Sequence, residues 1–288
     1  MSDNTIRILV TGKNGSLSVA VSEYLQQKAD CSAKRISVRD DAFPGVDFTT
    51  ADVVVHIAGV TPQNIKSPQD YETVNVQLTK KLANRCKQDG VKQFIYISSM
   101  AVYGAAQSMD CEKGTITADT LPNPVTDYGK SKYAAEKTIE TLRDQRFSVA
   151  IIRVPSIYGK GKTEYIDQYR YLSEKLPFIP AAFEEHKKSA ICTENLCELI
   201  YLMIVNKADG IVCPDDGPYS TVDFCTAIHP QKKKNRLFGK LMELFLKNNS
   251  RILDYYGTIC YSQEIASVYD GKYRVKDFKE AIRLSYEE

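Results

Sequence analysis

The stretch that most constrains this chain is Ile6-Arg7-Ile8-Leu9-Val10, which runs directly into Thr11-Gly12-Lys13-Asn14-Gly15-Ser16-Leu17-Ser18. An apolar strand meets a glycine turn, and Ala20, Val21, Tyr24 and Leu25 then mark one face of a helix. Gly12 and Gly15 permit a tight turn and close approach of the backbone to a pyrophosphate. The helix behind them offers free N–H groups and the positive end of its dipole. Strand, glycine turn and helix begin a dinucleotide-binding unit, although Ser18 stands where a third glycine is expected. The same pattern also suits a strand–turn–helix unit that binds nothing.

The alternation continues. Ala33 to Val38 reads as a second strand, with Arg39-Asp40-Asp41 at its end. Arginine there suits a ribose 2′-phosphate and an acid suits a free 2′-hydroxyl; Arg39 comes first, which leans the cofactor toward NADP over NAD. The next segment has room for a short strand near Val46–Phe48 but hardly for a crossover helix. Asp52 to Gly59 is a buried strand ending in the small residues Ala58 and Gly59, over which a cofactor can lie. His56, inside that apolar run, reads as a hydrogen-bonded core histidine. Val76 to Asp89 is a helix ended by Gly90, and Phe94–Ile97 is a fourth strand leading into Ser98 and Ser99. A polar loop from Ala105 to Asp127 precedes a helix beginning at Tyr128, with Ala134, Ala135, Ile139 and Leu142 facing inward. Val149–Arg153 is a fifth strand.

After Gly159 the regular alternation ends. Helices are expected over 162–176, 195–206, 237–246 and 275–286, with a strand at 211–213. The expected fold is α/β: a Rossmann-type doubly wound parallel sheet with a small, mostly C-terminal α/β substrate lobe. The nucleotide-binding domain would take 1–160 with parts of 190–225, and the lobe 161–190 and 226–288.

Tyr128 and Lys132 bring chemistry to this frame. Residues at i and i+4 share a helix face. A free phenol titrates near about 10, and a neighbouring ammonium favours the phenolate. Tyr128 would then exchange a proton near neutral pH. A solvated helix start with a chance Tyr/Lys pair is the alternative.

The bulk numbers narrow the function. The net charge of +2 over 288 residues gives no overall pull toward nucleic acid or an anionic membrane. No apolar run approaches the ~20 residues that span a bilayer, and the polar N-terminus does not read as a signal peptide. The eight cysteines form no CxxC and no zinc spacing, so no metal is expected, and they read as reduced, buried thiols of a cytoplasmic protein. The basic run Gln231-Lys232-Lys233-Lys234-Asn235-Arg236 carries no interleaved aromatics and reads as a solvated loop rather than a nucleic-acid patch.

Taken together, Thr11-Gly12-x-x-Gly15, His56-Ile57-Ala58-Gly59, Asn75, Ile97-Ser98-Ser99-x-x-Val102-Tyr103-Gly104, Tyr128-x-x-x-Lys132 and Arg153-Val154-Pro155-Ser156-x-Tyr158-Gly159 resemble the extended short-chain dehydrogenase/reductase family, in its nucleotide-sugar epimerase/dehydratase/reductase branch. The resemblance runs from Ile6 to about Asn206 and fades after about Pro214. It implies Tyr128 as the acid/base, Lys132 as the cation that depresses its pKa and holds the nicotinamide ribose, and Ser99 as a hydrogen-bond partner of the reacting hydroxyl. It places the cofactor on Gly12, Asn14, Gly15, Ser16, Leu17, Arg39, Ala58, Gly59, Asn75, Tyr128, Lys132, Val154 and Pro155. Thr61, Met100, Tyr103, Ser156 and Lys188 would meet the substrate, Lys188 facing its diphosphate.

Three departures from the family pattern stand out: Ser18, Leu78 in place of the glycine three after Asn75, and the missing helix after the third strand. Met100 and Ala101 follow Ser99 where dehydratases carry acids, so the implied reaction is carbinol–ketone redox on a nucleoside-diphosphate sugar, as a 4-epimerase or 4-ketoreductase. Other readings are a reductase of another small carbonyl compound and a catalytically silent cofactor-binding regulator. A homodimer through the helices near Val76–Asp89 and Tyr128–Arg143 is implied by analogy.

Overall fold

The computed structural model describes residues 5–38, 43–104, 108–160, 164–246, 253 and 255–285. In chain order the elements are β1 (Ile6–Thr11), α1 (Ser16–Gln26), β2 (Cys31–Ile36), β3 (Val53–His56), α2 (Thr79–Gln88), β4 (Gln93–Ser99), β5 (Thr115–Ile116), α3 (Asp127–Glu140), β6 (Ser148–Val154) and β7 (Ser156–Tyr158). There follow α4 (Glu164–Lys175), β8 (Lys187–Cys192), α5 (Thr193–Val205), β9 (Gly210–Val212), β10 (Gly217–Ser220), α6 (Thr221–Ile228), α7 (Arg236–Leu246), β11 (Cys260–Tyr261) and α8 (Phe278–Leu284).

The chain divides into two compact units, one of residues 1–104, 122–154 and 196–212, the other of 105–121, 155–195 and 213–288. The boundaries differ from the expected ones: 105–121 and 155–160 join the second unit, while 196–212 supplies the part of 190–225 expected in the first. The reason for the first is β5, inside what reads as a polar loop, which pairs with β11 far along the chain.

The first unit is a six-stranded parallel sheet in the order β2-β1-β3-β4-β6-β9. Its central strands are apolar on both faces, as a sheet covered on both sides requires. On one face Leu9, Val54, Phe94, Tyr96 and Ile151 pack with Leu82 and Cys86 of α2 and with Ala135 and Ile139 of α3. Ala134 is exposed, contrary to expectation; the inward face of α3 is Ser131, Lys132, Ala135, Glu136 and Ile139. The short strand expected near Val46–Phe48 is absent. Single 3₁₀ turns stand at Phe43–Gly45 and Phe48–Thr50, the second capped by Asp47, whose side chain accepts from Thr49 N. Helical structure also begins before Val76: a π-helical segment, Tyr71–Leu78, leads into α2.

The second unit holds a three-stranded sheet, β10-β8-β7, with β10 antiparallel and β7 parallel to β8. Its core is aromatic: Tyr169 stacks on Phe224 at 4.6 Å, and Phe183 on Tyr256 at 4.4 Å. Half-buried Asp216 ties the loop before β10 to its neighbours, accepting from Tyr158 Oη, Cys192 N and Asn195 Nδ2.

Candidate active site

The glycine turn leaves β1 at its carboxyl end. Gly12 has φ +102, a conformation that side-chain-bearing residues rarely adopt. Ser18, one turn into α1, is buried, and its hydroxyl is shared between the carbonyls of Gly12 and Gly15. The serine therefore replaces the third glycine by tying the turn down. No side chain caps the start of α1 and its first turn has no acid, so its N–H groups stay available to an anion.

His56 is a core residue. Thr11 Oγ1 accepts from the backbone N–H of both Ile57 and Ala58, at 3.0 Å each. Its own proton goes to His56 Nδ1 at 2.8 Å, which leaves the imidazole proton on Nε2, donated to Thr79 Oγ1 at 2.9 Å. Burial, with the charge of Lys132 adding to it, lowers His56 to about 3. The neutral ring thus clamps the ends of β1 and β3 to α2. Asn75 fixes the loop after β3, accepting from Val60 N at 2.8 Å and donating to Val60 O and Ser131 Oγ at 3.0 Å each. Its place in a π-helical segment fits the frequent appearance of such segments at functional sites.

Ser99, the last residue of β4, accepts from Ala101 N at 3.1 Å and so starts the 3₁₀ turn Met100–Tyr103. That turn meets the start of α3 closely: a Cβ on Gly129 would stand 2.5 Å from Ala101 O. The contact sets Tyr128 beside Ser99, whose hydroxyl favours the ionised phenol. Thr126 caps α3 by accepting from Gly129 N at 3.0 Å.

The expected action of Lys132 on Tyr128 is not what the structure shows. Burial pushes the phenol up to about 12, with Ser99 pulling it back and Tyr71 adding to the rise. Lys132 Nζ turns inward instead, donating to Ile97 O at 2.8 Å and lying 4.7 Å from the centre of the Tyr96 ring. Burial lowers the ammonium to about 8, against the charge of Glu136. The shared helix face is real, but the low-dielectric interior decides where the cation points.

Three features escape sequence reasoning. Glu136 and Arg153 form a buried ion pair, 2.8 Å from Arg153 Nη2 to Glu136 Oε2. Ser98 Oγ donates to Glu136, and Arg153 Nη1 donates to Tyr103 Oη at 2.9 Å. Burial works against the Arg153 charge, but Glu136 outweighs it and holds the guanidinium above its usual range. Tyr71 brings its ring to 6.1 Å from that of Tyr128. Arg35 of β2 donates to Lys13 O at 3.2 Å, which sets a guanidinium against the glycine turn. An isolated charged residue in a strand or helix gives no local signal of such a partner.

Of the remaining expected residues, Arg39 lies outside the described residues. Gly12, Asn14, Gly15, Ser16 and Leu17 form the turn and start of α1; Ala58, Gly59 and Thr61 follow β3; Val154 ends β6. Met100 and Tyr103 are buried, the latter held by Arg153. Pro155, Ser156 and Lys188 belong to the second unit. Lys188 is not a solvated loop residue: it lies on β8 opposite Tyr219 and is only 4% exposed. Among the described residues no group of His, Cys, Asp or Glu is placed to hold a metal ion, and no helix is long and apolar enough to cross a membrane. The eight cysteines are all free thiols.

These residues fit a nicotinamide dinucleotide. The uncapped helix start suits a pyrophosphate, and a Cβ on Gly59 would fill a space 3.0 Å from Asn75 Oδ1 and 3.7 Å from Lys132 Nζ. A doubly wound parallel sheet with a glycine turn after its first strand, a serine ending β4 and a Tyr-x-x-x-Lys helix defines a short-chain dehydrogenase/reductase of the extended type. More narrowly, the chain belongs to the NAD-dependent epimerase/dehydratase family, whose sequence profile matches residues 8–190. It is 32% identical over 221 residues to a UDP-glucose 4-epimerase of Vibrio cholerae, covering 68% of this chain and 66% of that protein. It is 26% identical over 225 residues to an Escherichia coli O157:H7 4-epimerase of N-acetyl-α-D-glucosaminyl-diphospho-ditrans,octacis-undecaprenol, covering 73% and 66%. The matches thus span just under two thirds of those relatives. In fold it resembles the UDP-glucuronic acid 4-epimerase of Bacillus cereus solved with NAD, at a TM-score of 0.72 and 16% identity over 98% of both chains.

Proposed function

We propose that this protein interconverts a carbinol and a ketone on a nucleoside-diphosphate sugar, at C4, as an NAD(P)-dependent epimerase or 4-ketoreductase. The observation that carries the reading is the placement of Tyr128, at the start of α3, beside Ser99 at the end of β4, with Lys132 buried on the next turn of the same helix. The bound nicotinamide would supply and accept hydride. Gly12, Asn14, Gly15, Ser16 and Leu17 would hold its pyrophosphate, and Ala58, Gly59, Asn75, Lys132, Val154 and Pro155 its nicotinamide half.

Tyr128 Oη takes the proton of the sugar hydroxyl and returns it on reduction. With its phenol at about 12 in the ligand-free protein, Tyr128 is a proton donor at rest. Acting as base requires positive charge to come close to Oη, and Lys132 is the nearest candidate on its own helix face. Ser99 Oγ holds the reacting oxygen. Met100 is buried and apolar and Ala101 is occupied at its N–H by Ser99, so neither can act as the acid that dehydration needs. The curated relatives that are 4-epimerases support the C4 assignment. Thr61, Met100, Tyr103, Ser156 and Lys188 remain the proposed substrate residues, with Lys188 as the phosphate cation, and a homodimer through α2 and α3 remains the proposed assembly.

The test is turnover of UDP-hexoses by the purified protein with NAD or NADP, and by Tyr128→Phe. The variant should lose nearly all turnover while cofactor affinity stays within a few-fold, because only the phenolic proton is removed. Near-normal turnover in Tyr128→Phe would end the proposal. Cofactor that stays bound through purification would favour the epimerase, since an epimerase regenerates it every cycle.

A further inference from the structure

Helix α7 of the second unit is two-sided. Its inner side packs tightly: a Cβ on Gly239 would stand 2.8 Å from Ala182 Cβ, and Phe238 meets Phe178 edge-on at 6.1 Å. Met242 packs against the aromatic core. Its outer side is apolar and in water: Leu237 is 70% exposed, Leu241 48%, Leu244 65% and Phe245 77%. At 100° per residue those four side chains share an arc of about 100°. Large apolar residues gathered on one exposed helix face mark an interaction surface.

The charges beside that arc say what it meets. Lys233, Arg236 and Lys240 are exposed, Arg236 and Lys240 on the helix itself and Lys233 just before it. Lys232 and Lys234 are held within the unit, by Ser173 O and by Glu184 at 2.6 Å. Arg236 and Lys240 border the leucines on one side of the helix, with half-exposed Glu243 beside Arg236, so that border keeps a net positive charge. The basic run that reads as a solvated loop is therefore the polar border of an apolar face. A helix with leucine and phenylalanine on one face and lysine and arginine beside it suits the boundary between acyl chains and anionic headgroups. The net charge of +2 does not bear on this, because membrane attraction is felt within about a Debye length of the surface.

The geometry points to α7 as a membrane-surface helix: Leu237, Leu241, Leu244 and Phe245 enter the headgroup boundary of an anionic bilayer, and Lys233, Arg236 and Lys240 meet its phosphates. The attachment is peripheral and reversible, since α7 spans only Arg236–Leu246 and lies on the bilayer rather than across it.

The test is co-sedimentation of the full chain with vesicles of equal parts phosphatidylglycerol and phosphatidylcholine, against vesicles of phosphatidylcholine alone. The protein should pellet with the anionic vesicles, less so as salt rises, and stay in solution with the neutral ones. Lys233→Gln and Lys240→Gln should each lower vesicle affinity roughly five-fold, as about 1 kcal/mol per cation near an anionic surface implies. Leu241→Glu/Phe245→Glu should abolish pelleting and leave melting temperature and turnover unchanged, because both side chains already face water. Failure of the native chain to pellet with anionic vesicles would overturn the proposal, as would pelleting of Leu241→Glu/Phe245→Glu at the native level. A native dimer that this double variant converts to monomer would assign the face to a second copy and overturn it equally.

Discussion

Glu136→Gln tests how the site is held. Glu136 is fully buried and accepts from Arg153 through both Nε and Nη2 and from Ser98 Oγ. The amide keeps the shape and one acceptor but removes the charge, leaving the Arg153 guanidinium, which donates to Tyr103 Oη, buried without its carboxylate. Removing one member of a buried ion pair costs about 3–5 kcal/mol, and the retained shape and acceptor put this case near about 3. At about 2–4 °C per kcal/mol for a chain of this size, the melting temperature should fall by roughly 6–12 °C in a calorimetric or fluorescence scan. Glu136→Gln/Arg153→Met should lose less than the single variant, because no uncompensated charge remains. The same substitution removes the charge that supports the Lys132 ammonium, so Lys132 should titrate below its present value of about 8. A fall of less than about 2 °C, or a double variant worse than the single one, would refute the claim that this pair holds α3 to β6.

Ser99→Ala should lower kcat/KM by roughly 10–10³-fold, as loss of one hydrogen bond to a reacting oxygen does; an unchanged value would give Ser99 only the role of capping the turn after β4. Gly129→Ala should lower both melting temperature and turnover, because its Cβ would stand 2.5 Å from Ala101 O and must push Tyr128 from Ser99; native turnover would show that this approach does not set the geometry. Lys132 should leave a pH signature in stability. Its folded pKa of about 8 lies below the ordinary lysine value of 10.5, so between those values the unfolded chain binds more protons and stability should rise with pH. Chemical denaturation across that window, compared with Lys132→Met, should show the rise in the native chain only.

The sequence by itself determined the succession of strands and helices in the first unit, the glycine turn and the Tyr128 helix. Those signals are local: apolar periodicity and a glycine where the chain must turn. It also determined that His56 belongs to the core, since a charged imidazole cannot persist in an apolar run. Only the tertiary structure decided the rest. Position 18 is served by a serine because its hydroxyl reaches two carbonyls of the turn, which the one-letter pattern does not reveal. Ala134 faces water because α3 turns Lys132 and Glu136 inward, and those charges are tolerable there only with Ile97 O and Arg153 as partners. Lys188 is buried because β10 and the segment ending in β11 both pair with β8 at that residue. The common reason is range: propensity acts over a few residues, whereas the cost of burying a charge is settled by partners that the chain brings from far away.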